Sequence, residues 1–259
     1  MTDLEQKIRD VVRLSDGRVS IAIELPSHCI QIGGDRPYSA ASLIKIPILL
    51  EGFRQSEEGK ISLNEQITIP KESRVGGAGV LAALSEEVSL TMEDLFTLMI
   101  IVSDNTATNV LVDRLTPEAI QSFCHSLNLK QTKLLRKMLD FDAIKQGFNN
   151  HTSALDILSC LKLMDRSPIY SQNSREKMLR ILHHQQFTNK LPAKMDRESV
   201  FVANKTGELP GVEHDCAIMK IGNKTAYIAV LIDGLGKNSS GKDTIAHIGK
   251  LIFDFIISE

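Results

Sequence analysis

The chain has 259 residues, 42% of them hydrophobic and 24% charged, with a formal net charge of −2 and no tryptophan. That balance suits a soluble globular protein with ample core, and it excludes the strongly basic field that nucleic acid or an anionic membrane requires. No apolar run approaches the roughly 20 residues that span a bilayer, and the four cysteines are widely spaced without a Cys-x-x-Cys pair, which argues against a disulfide framework or zinc site.

The first residues, Met1 to Lys7, carry neither a basic n-region nor an apolar h-region. The expectation is a cytoplasmic protein as written, or a secreted or periplasmic one if a leader has been removed. Leu4, Ile8, Val11 and Val12 recur at helical spacing, and Gly17 closes that segment. Residues 18–25 and 28–32 read as two strands around Pro26-Ser27. From Ser42 to about Arg54 the chain is apolar and helical, with Pro47 confined to the first turns. A short strand is expected at 67–69.

Residues 91–126 are helical in pattern, broken at Ser103-Asp104-Asn105 and at Thr116-Pro117. Thr91-x-x-Asp94 reads as an N-terminal cap, and Thr116 before Pro117 as a second. The stretch 130–150 is polar and irregular. Helices follow at 153–165 and 173–185, then strands at 199–206, 213–221 and 224–232, with Gly222-Asn223 as a turn. Ile245, Ile248, Ile252 and Phe255 mark a final amphipathic helix. Strands at both ends and helices between them predict an α/β (α+β) fold: one antiparallel sheet with flanking helices and an inserted all-helical lobe. A single domain over 1–259 is expected, with a sheet lobe near 1–38 and 190–259 and a helical lobe near 39–189. Cys29, Cys160 and Cys216 lie among apolar neighbours and read as core residues.

Three short motifs stand in order: Ser42-x-x-Lys45, Ser103-Asp104-Asn105 and Lys205-Thr206-Gly207. A serine hydroxyl is a poor nucleophile without a base in contact, and on a helix i and i+3 share a face, so Lys45 can reach Ser42. Ser103 can relay a proton, and Asn105 can hold a substrate amide. Lys205 and Thr206 can meet a substrate carboxylate, while Gly207 permits close approach to the backbone. Each motif also has a plain reading as an apolar helix, a helix cap or a strand end. Ser-x-x-Lys recurs at Ser159/Lys162, Ser174/Lys177 and Ser239/Lys242, but only Ser42 precedes the other two motifs.

Together with the flanking stretches Ala40–Pro47, Ser103–Asn109 and Ala203–Leu209, this trio resembles that of class A β-lactamases and penicillin-binding proteins over nearly the whole chain. The resemblance implies a bilobal fold with the cleft between the lobes, an acyl-Ser42 intermediate, and an oxyanion hole made by the backbone N–H groups of Ser42 and Glu208. It implies a hydrolase acting on a β-lactam or related acyl-amide small molecule, expected to be a monomer with no metal or cofactor and no nucleic-acid or membrane partner. Alternatives are a D-Ala-D-Ala peptidase or other amide or ester hydrolase, and a non-catalytic sensor tagged covalently by β-lactams.

Two departures stand out. The family places a deacylating glutamate in Arg-x-Glu-x-x-Leu-Asn; if Thr132 and His151-Thr152-Ser153 anchor the loop ends without gaps, that slot holds Met138. Asp142, in the family's asparagine slot, is then the expected substitute base, with Asp140 as the other carboxylate. Many members also place an arginine on the strand after Lys-Thr-Gly, where His214 stands here, expected to bind a substrate carboxylate with partial charge.

Overall fold

The structure is a computed structural model that describes residues 2–85 and 87–258. Strand alternation explains its centre. In the last strand, Ala226, Ile228, Val230 and Ile232 point to one face, while Tyr227, Ala229 and Leu231 point to the other. Both sets are buried, so this strand must lie inside a sheet covered on both sides.

The chain opens with α1 (Asp3–Arg13), β1 (Arg18–Glu24), β2 (Cys29–Ile32) and β3 (Tyr38–Ser39). A 3-10 turn at Ala41–Ile44 leads into α2 (Lys45–Glu57), and β4 (Gln66–Ile69) pairs with β5 (Val88–Thr91). Then come α3 (Met92–Ile101), α4 (Asn105–Leu115), α5 (Pro117–Ser126), α6 (Phe141–Lys145), β6 (His151–Thr152), α7 (Ala154–Arg166) and α8 (Gln172–His183). The chain returns through β7 (Phe201–Leu209), β8 (Val212–Ile221) and β9 (Lys224–Asp233) to α9 (Asn238–Ser258).

Strands from both ends form one five-stranded antiparallel sheet in the order β2-β1-β9-β8-β7. One apolar cluster joins a sheet face to α1 and α9 through Leu4, Ile8, Ile245, Ile248 and Ile252. The other joins the opposite face to the intervening helices through residues such as Leu49, Phe53, Phe96, Leu111 and Leu161. α2 is the axis of that second layer: it is buried from Lys45 through Phe53, with Pro47 at its third position, where its missing N–H costs nothing. The Thr91 cap is a full capping box with Asp94, and Thr116 caps α5.

Several expectations need correction. Lys205-Thr206-Gly207 does not end its strand, because β7 continues to Leu209 paired with β8. The helix expected from Ser42 begins only at Lys45, after the 3-10 turn. Cys29 is exposed, unlike buried Cys124, Cys160 and Cys216, because β2 ends the sheet and Cys29 sits on its outer side. The polar stretch 130–150 also holds a short helix, α6.

α9 reaches the cleft through its contact with the 3-10 turn at Leu191–Lys194. A Cβ built on Gly249 would fall 2.1 Å from the Leu191 carbonyl oxygen, a backbone atom that cannot step aside. Gly249→Ala should therefore destabilise the fold by about 1–3 kcal/mol through overpacking, read as a lower urea midpoint at unchanged slope. An unchanged midpoint would show that α9 does not clamp this turn.

Candidate active site

The 3-10 turn that carries Ser42 is forced by what precedes it. The Ala40 N–H donates to the Asn150 carbonyl at 2.8 Å, and Ala41 takes a left-handed φ of +44°. That conformation is costly for a residue with a Cβ, and it leaves Ser42 half-buried at the rim while Lys45 drops fully out of water.

Ser103 is the second strained residue, with φ +56°. Asp104 follows as the N-cap of α4, accepting from the Ala107 N–H at 2.9 Å. Its other carboxylate oxygen accepts from the N–H groups of Val80 (2.7 Å) and Leu81 (2.9 Å), tying the 75–81 loop to the cleft. Asp104 is thus structural, as the plain capping reading had it. The left-handed turn aims both the hydroxyl and the carbonyl of Ser103 at Lys45.

The Lys45 ammonium nitrogen lies 2.7 Å from the Ser103 carbonyl oxygen, 3.0 Å from Ser103 Oγ and 3.1 Å from Asn105 Oδ1. Lys205 Nζ donates to Ser103 Oγ at 3.2 Å and to the Thr206 carbonyl at 2.6 Å. Ser103 Oγ in turn is 2.8 Å from Ser42 Oγ. The direct Ser42–Lys45 contact expected from the i, i+3 spacing is replaced by a bridge: Lys45 bonds to Ser103 and Asn105, and the Ser103 hydroxyl touches the rim serine and both lysines. Burial, and then the nearby Lys205 charge, hold the Lys45 ammonium well below its ordinary pKa. Burial brings Lys205 down to about 7.

Residues 132–150 form a braced loop. Its ends meet where Thr132 Oγ1 lies 3.0 Å from Thr152 Oγ1 and donates to Asp156 at 2.9 Å, so the expected anchors are neighbours in space. Asn150 binds the Leu135 and Arg136 N–H groups and the Arg136 carbonyl. Asn109 grips Met138 by its backbone, accepting from its N–H at 2.7 Å and donating to its carbonyl at 3.2 Å. Met138 is thereby turned inward and is 8% exposed.

Asp142 lies elsewhere. Its side chain is 84% exposed on α6 and pairs with Lys145 at 3.1 Å, while Asp140 caps α6 by accepting from Ala143 N–H at 2.9 Å. Asp142, the expected base, is carried by α6 out to solvent and is absent from the walls of the cavities beside Ser42. His214 is also misplaced by the sequence reading. It is fully buried under Gly207, its ring nitrogens meeting the Ser39 carbonyl (2.9 Å), the Glu213 carbonyl (2.8 Å) and the Ile232 N–H (3.2 Å). It has no face toward the cleft for a substrate carboxylate. Burial lowers its pKa to about 4, so it is neutral at physiological pH.

Two cavities flank Ser42. One of about 440 Å³, the richer in charged side chains, has Ser103, Phe187, Lys190, Thr206 and Lys242 in its wall, and a second of about 270 Å³, mainly apolar, has Asn105, Arg136, Met138, Leu139, Phe141 and Leu209. Ser42, Ala78 and Glu208 belong to both. β7 runs close beside the turn that carries Ser42: a Cβ on Gly207 would sit 3.3 Å from that of Ala41, so glycine there sets the approach. Asn105 is engaged at both ends, its amide nitrogen donating to the Gly76 carbonyl at 3.1 Å.

The lysines of the other Ser-x-x-Lys pairs meet carboxylates instead: Lys162 meets Glu24 and Lys177 meets Glu93, while Lys242 meets Glu208 in the cleft wall. Asn109 and Lys190 were missed by the sequence reading. Asn109 stands four residues past Asn105 on the same face of α4, a spacing that was visible but unassigned, whereas nothing around Lys190 marks it as buried. Among the described residues, no group of three or more His, Cys, Asp or Glu side chains is placed to hold a metal, and no helix is long and apolar enough to cross a membrane.

A sequence profile described as the beta-lactamase enzyme family matches residues 3–256. Among solved structures, the chain is similar to a β-lactamase from Sphaerobacter thermophilus at 27% identity and TM-score 0.89, covering 97% of this chain and 96% of that one. It is similar to a leucine-to-glutamate mutant of PBP-A, solved as an acyl-enzyme complex with penicillin G, at 25% identity and TM-score 0.90, covering 100% and 98%. An ancestral class A β-lactamase shares the fold at 21% identity and TM-score 0.89, covering 98% and 100%. No curated protein matches.

Buried neutral His214 gives a test of this geometry. Its folded pKa of about 4 lies below its ordinary 6.5, so unfolded chains bind the extra proton first as pH falls. Its contribution is full above pH 6.5 and is lost on descent toward 4. Relative to His214→Gln, the native protein should lose about 3 kcal/mol between pH 7 and 4, measured by urea unfolding at each pH. Parallel pH profiles in the two proteins would mean that His214 is not buried neutral.

Proposed function

The chain belongs to the beta-lactamase enzyme family, and from that premise we propose that it opens β-lactam or related acyl-amide bonds through an acyl-Ser42 intermediate and releases the acyl group slowly. The observation that carries this reading is the contact of Ser103 Oγ with Ser42 Oγ, Lys45 Nζ and Lys205 Nζ at 2.8, 3.0 and 3.2 Å.

A neutral amine has two N–H donors and one lone pair. At Lys45 the donors serve the Ser103 carbonyl and Asn105 Oδ1, which leaves the lone pair for the Ser103 hydroxyl. Hydroxyl protons rotate to suit, so the chain then runs Ser42 O–H to Ser103 Oγ, and Ser103 O–H to Lys45. As Ser42 attacks the carbonyl carbon, its proton moves to Ser103 while the Ser103 proton moves to Lys45, which ends as the ammonium. Return of that proton through Ser103 to the leaving nitrogen completes acylation. Lys205 helps by disfavouring the charged form of Lys45 beforehand. The backbone N–H groups of Ser42 and Glu208 face the carbonyl oxygen as its charge develops. An apolar acyl group fits the Met138–Leu139–Phe141 side of the cleft, with the leaving group on the Thr206 side.

Hydrolysis of the ester then needs a base beside a water. Met138 cannot accept a proton, and Asp140 and Asp142 serve α6 at the surface. That favours a penicillin-binding type of reactivity, with lasting adducts, over fast lactam turnover.

Intact-mass spectrometry with benzylpenicillin should show a persistent single adduct that Ser42→Ala abolishes and that Ser159→Ala, Ser174→Ala and Ser239→Ala leave intact. Lys45→Ala should slow its formation by about 100- to 10,000-fold. Adduct on the Ser42→Ala protein would refute the assignment. Met138→Glu places a carboxylate in the slot gripped by Asn109, and it should shorten the adduct lifetime at least about tenfold with acylation little changed. An unaltered lifetime would show that the Met138 position does not govern release.

A further inference from the structure

The polar end of the cleft holds its own carboxylate. Thr206 and Glu208 alternate with Gly207 along β7 and so project to one face, toward Lys190 and Lys242. Lys242 Nζ lies 3.0 Å from both oxygens of Glu208, and Lys190 Nζ is 3.9 Å from the nearer one. Lys190 donates to the Gly207 carbonyl at 2.9 Å and the His214 carbonyl at 3.2 Å, and it forms an ion pair with the buried carboxylate of Glu213. Lys242 divides itself between Glu208 and Glu213, the latter at 3.5 Å. Two cations thus face two carboxylates, and Lys205, the lysine expected to meet a substrate carboxylate, is fully buried behind the wall with bonds to Ser103 Oγ and the Thr206 carbonyl, so neither wall ammonium stands ready for an incoming anion.

We propose that Glu208 is a specificity-determining residue that fills the cleft's cationic end from within, so that the site selects acyl donors bearing no carboxylate on the leaving-group side. Neutral esters, amides and lactams enter without displacing an ion pair. A carboxylated donor must either pull Lys242 away from Glu208 or lie beside that negative charge, which is half-exposed at the mouth of the cavity. The role belongs to the side chain alone, since the backbone N–H of residue 208 is the same in any variant. The inference rests on the acyl-Ser42 reading only for the identity of the reacting bond.

Benzylpenicillin and its methyl ester are the same lactam with and without the carboxylate, so the ratio of their second-order acylation rates isolates this effect from folding and from nucleophile strength. In the native protein the free acid should be the slower partner. Glu208→Gln, which keeps the volume and removes the charge, should raise the acid-to-ester ratio about tenfold, chiefly by a gain on the acid. Lys242→Met, which leaves Glu208 without its clamp, should lower the ratio. A ratio unmoved within twofold by Glu208→Gln, or raised by Lys242→Met, overturns the proposal. The same ratio read as noncovalent affinities in a Ser42→Ala background should shift in the same directions. A shift there without any adduct on the Ser42 protein refutes the acyl-Ser42 reading alone; no shift there, with adducts formed normally, refutes the role of Glu208 alone.

Discussion

Three ammonium groups buried at the foot of one cleft impose the main constraint on this molecule. Lys45, Lys190 and Lys205 are each at most 1% exposed, and taking such a group from water costs several kcal/mol unless its donors are satisfied. The protein satisfies them mostly with backbone carbonyls: Ser103 for Lys45, Thr206 for Lys205, Gly207 and His214 for Lys190. Carbonyls aim only where the backbone turns. The left-handed Ser103 and the edge strand β7 can therefore be read as consequences of where those three charges sit. Burial also makes two of the lysines chemically useful, since it pushes both Lys45 and Lys205 toward their neutral forms.

The layers around the cleft hold this arrangement in place. Asp104 caps α4 with one oxygen and holds the 75–81 loop with the other, so a capping residue also closes a wall of the site. Gly79 permits that contact, because a Cβ there would fall 2.3 Å from the Asp104 carboxylate in a backbone already at φ +110°. Beneath β7, His214 packs neutral against Gly207 and fills space that a charged ring would not tolerate. Asn109 extends the same order to the 132–150 loop, spending both ends of its amide on the Met138 backbone. That grip acts on the backbone, while the Met138 side chain packs into the apolar core beside the loop.

Charge within the cleft follows from the same economy. Lys190 and Lys242 at the polar end are met by Glu208 and Glu213, whereas the opposite cavity is walled mainly by apolar side chains such as Met138, Leu139, Phe141 and Leu209, with Asn105 and Arg136 among them. Ser42 thus stands between a mainly apolar flank and a neutralised ionic cluster. Such a cleft is built for discrimination by fit and by uncharged hydrogen bonding more than by long-range attraction.

Local rules carried much of this structure in the sequence itself. Apolar runs bounded by turn residues at both ends of the chain marked the strands of one sheet, Thr91 and Thr116 announced their helices, and the order Ser42, Ser103, Lys205 marked the cleft because each motif needs its own kind of element. These features are legible because they depend on neighbours within a few residues. The tertiary structure alone decided the rest. Asp142 and Met138 are both near enough in sequence to serve one site, yet the grip of Asn109 turns Met138 in and α6 turns Asp142 out. His214 loses its expected place and Lys190 gains an unexpected one for the same reason: pairing of β8 with β7 and β9 seals the histidine inside the sheet, while the turn under α9 delivers a lysine from an unmarked segment to the cleft wall. Burial and the aim of a side chain depend on contacts between residues far apart in the chain, and sequence spacing carries no record of them.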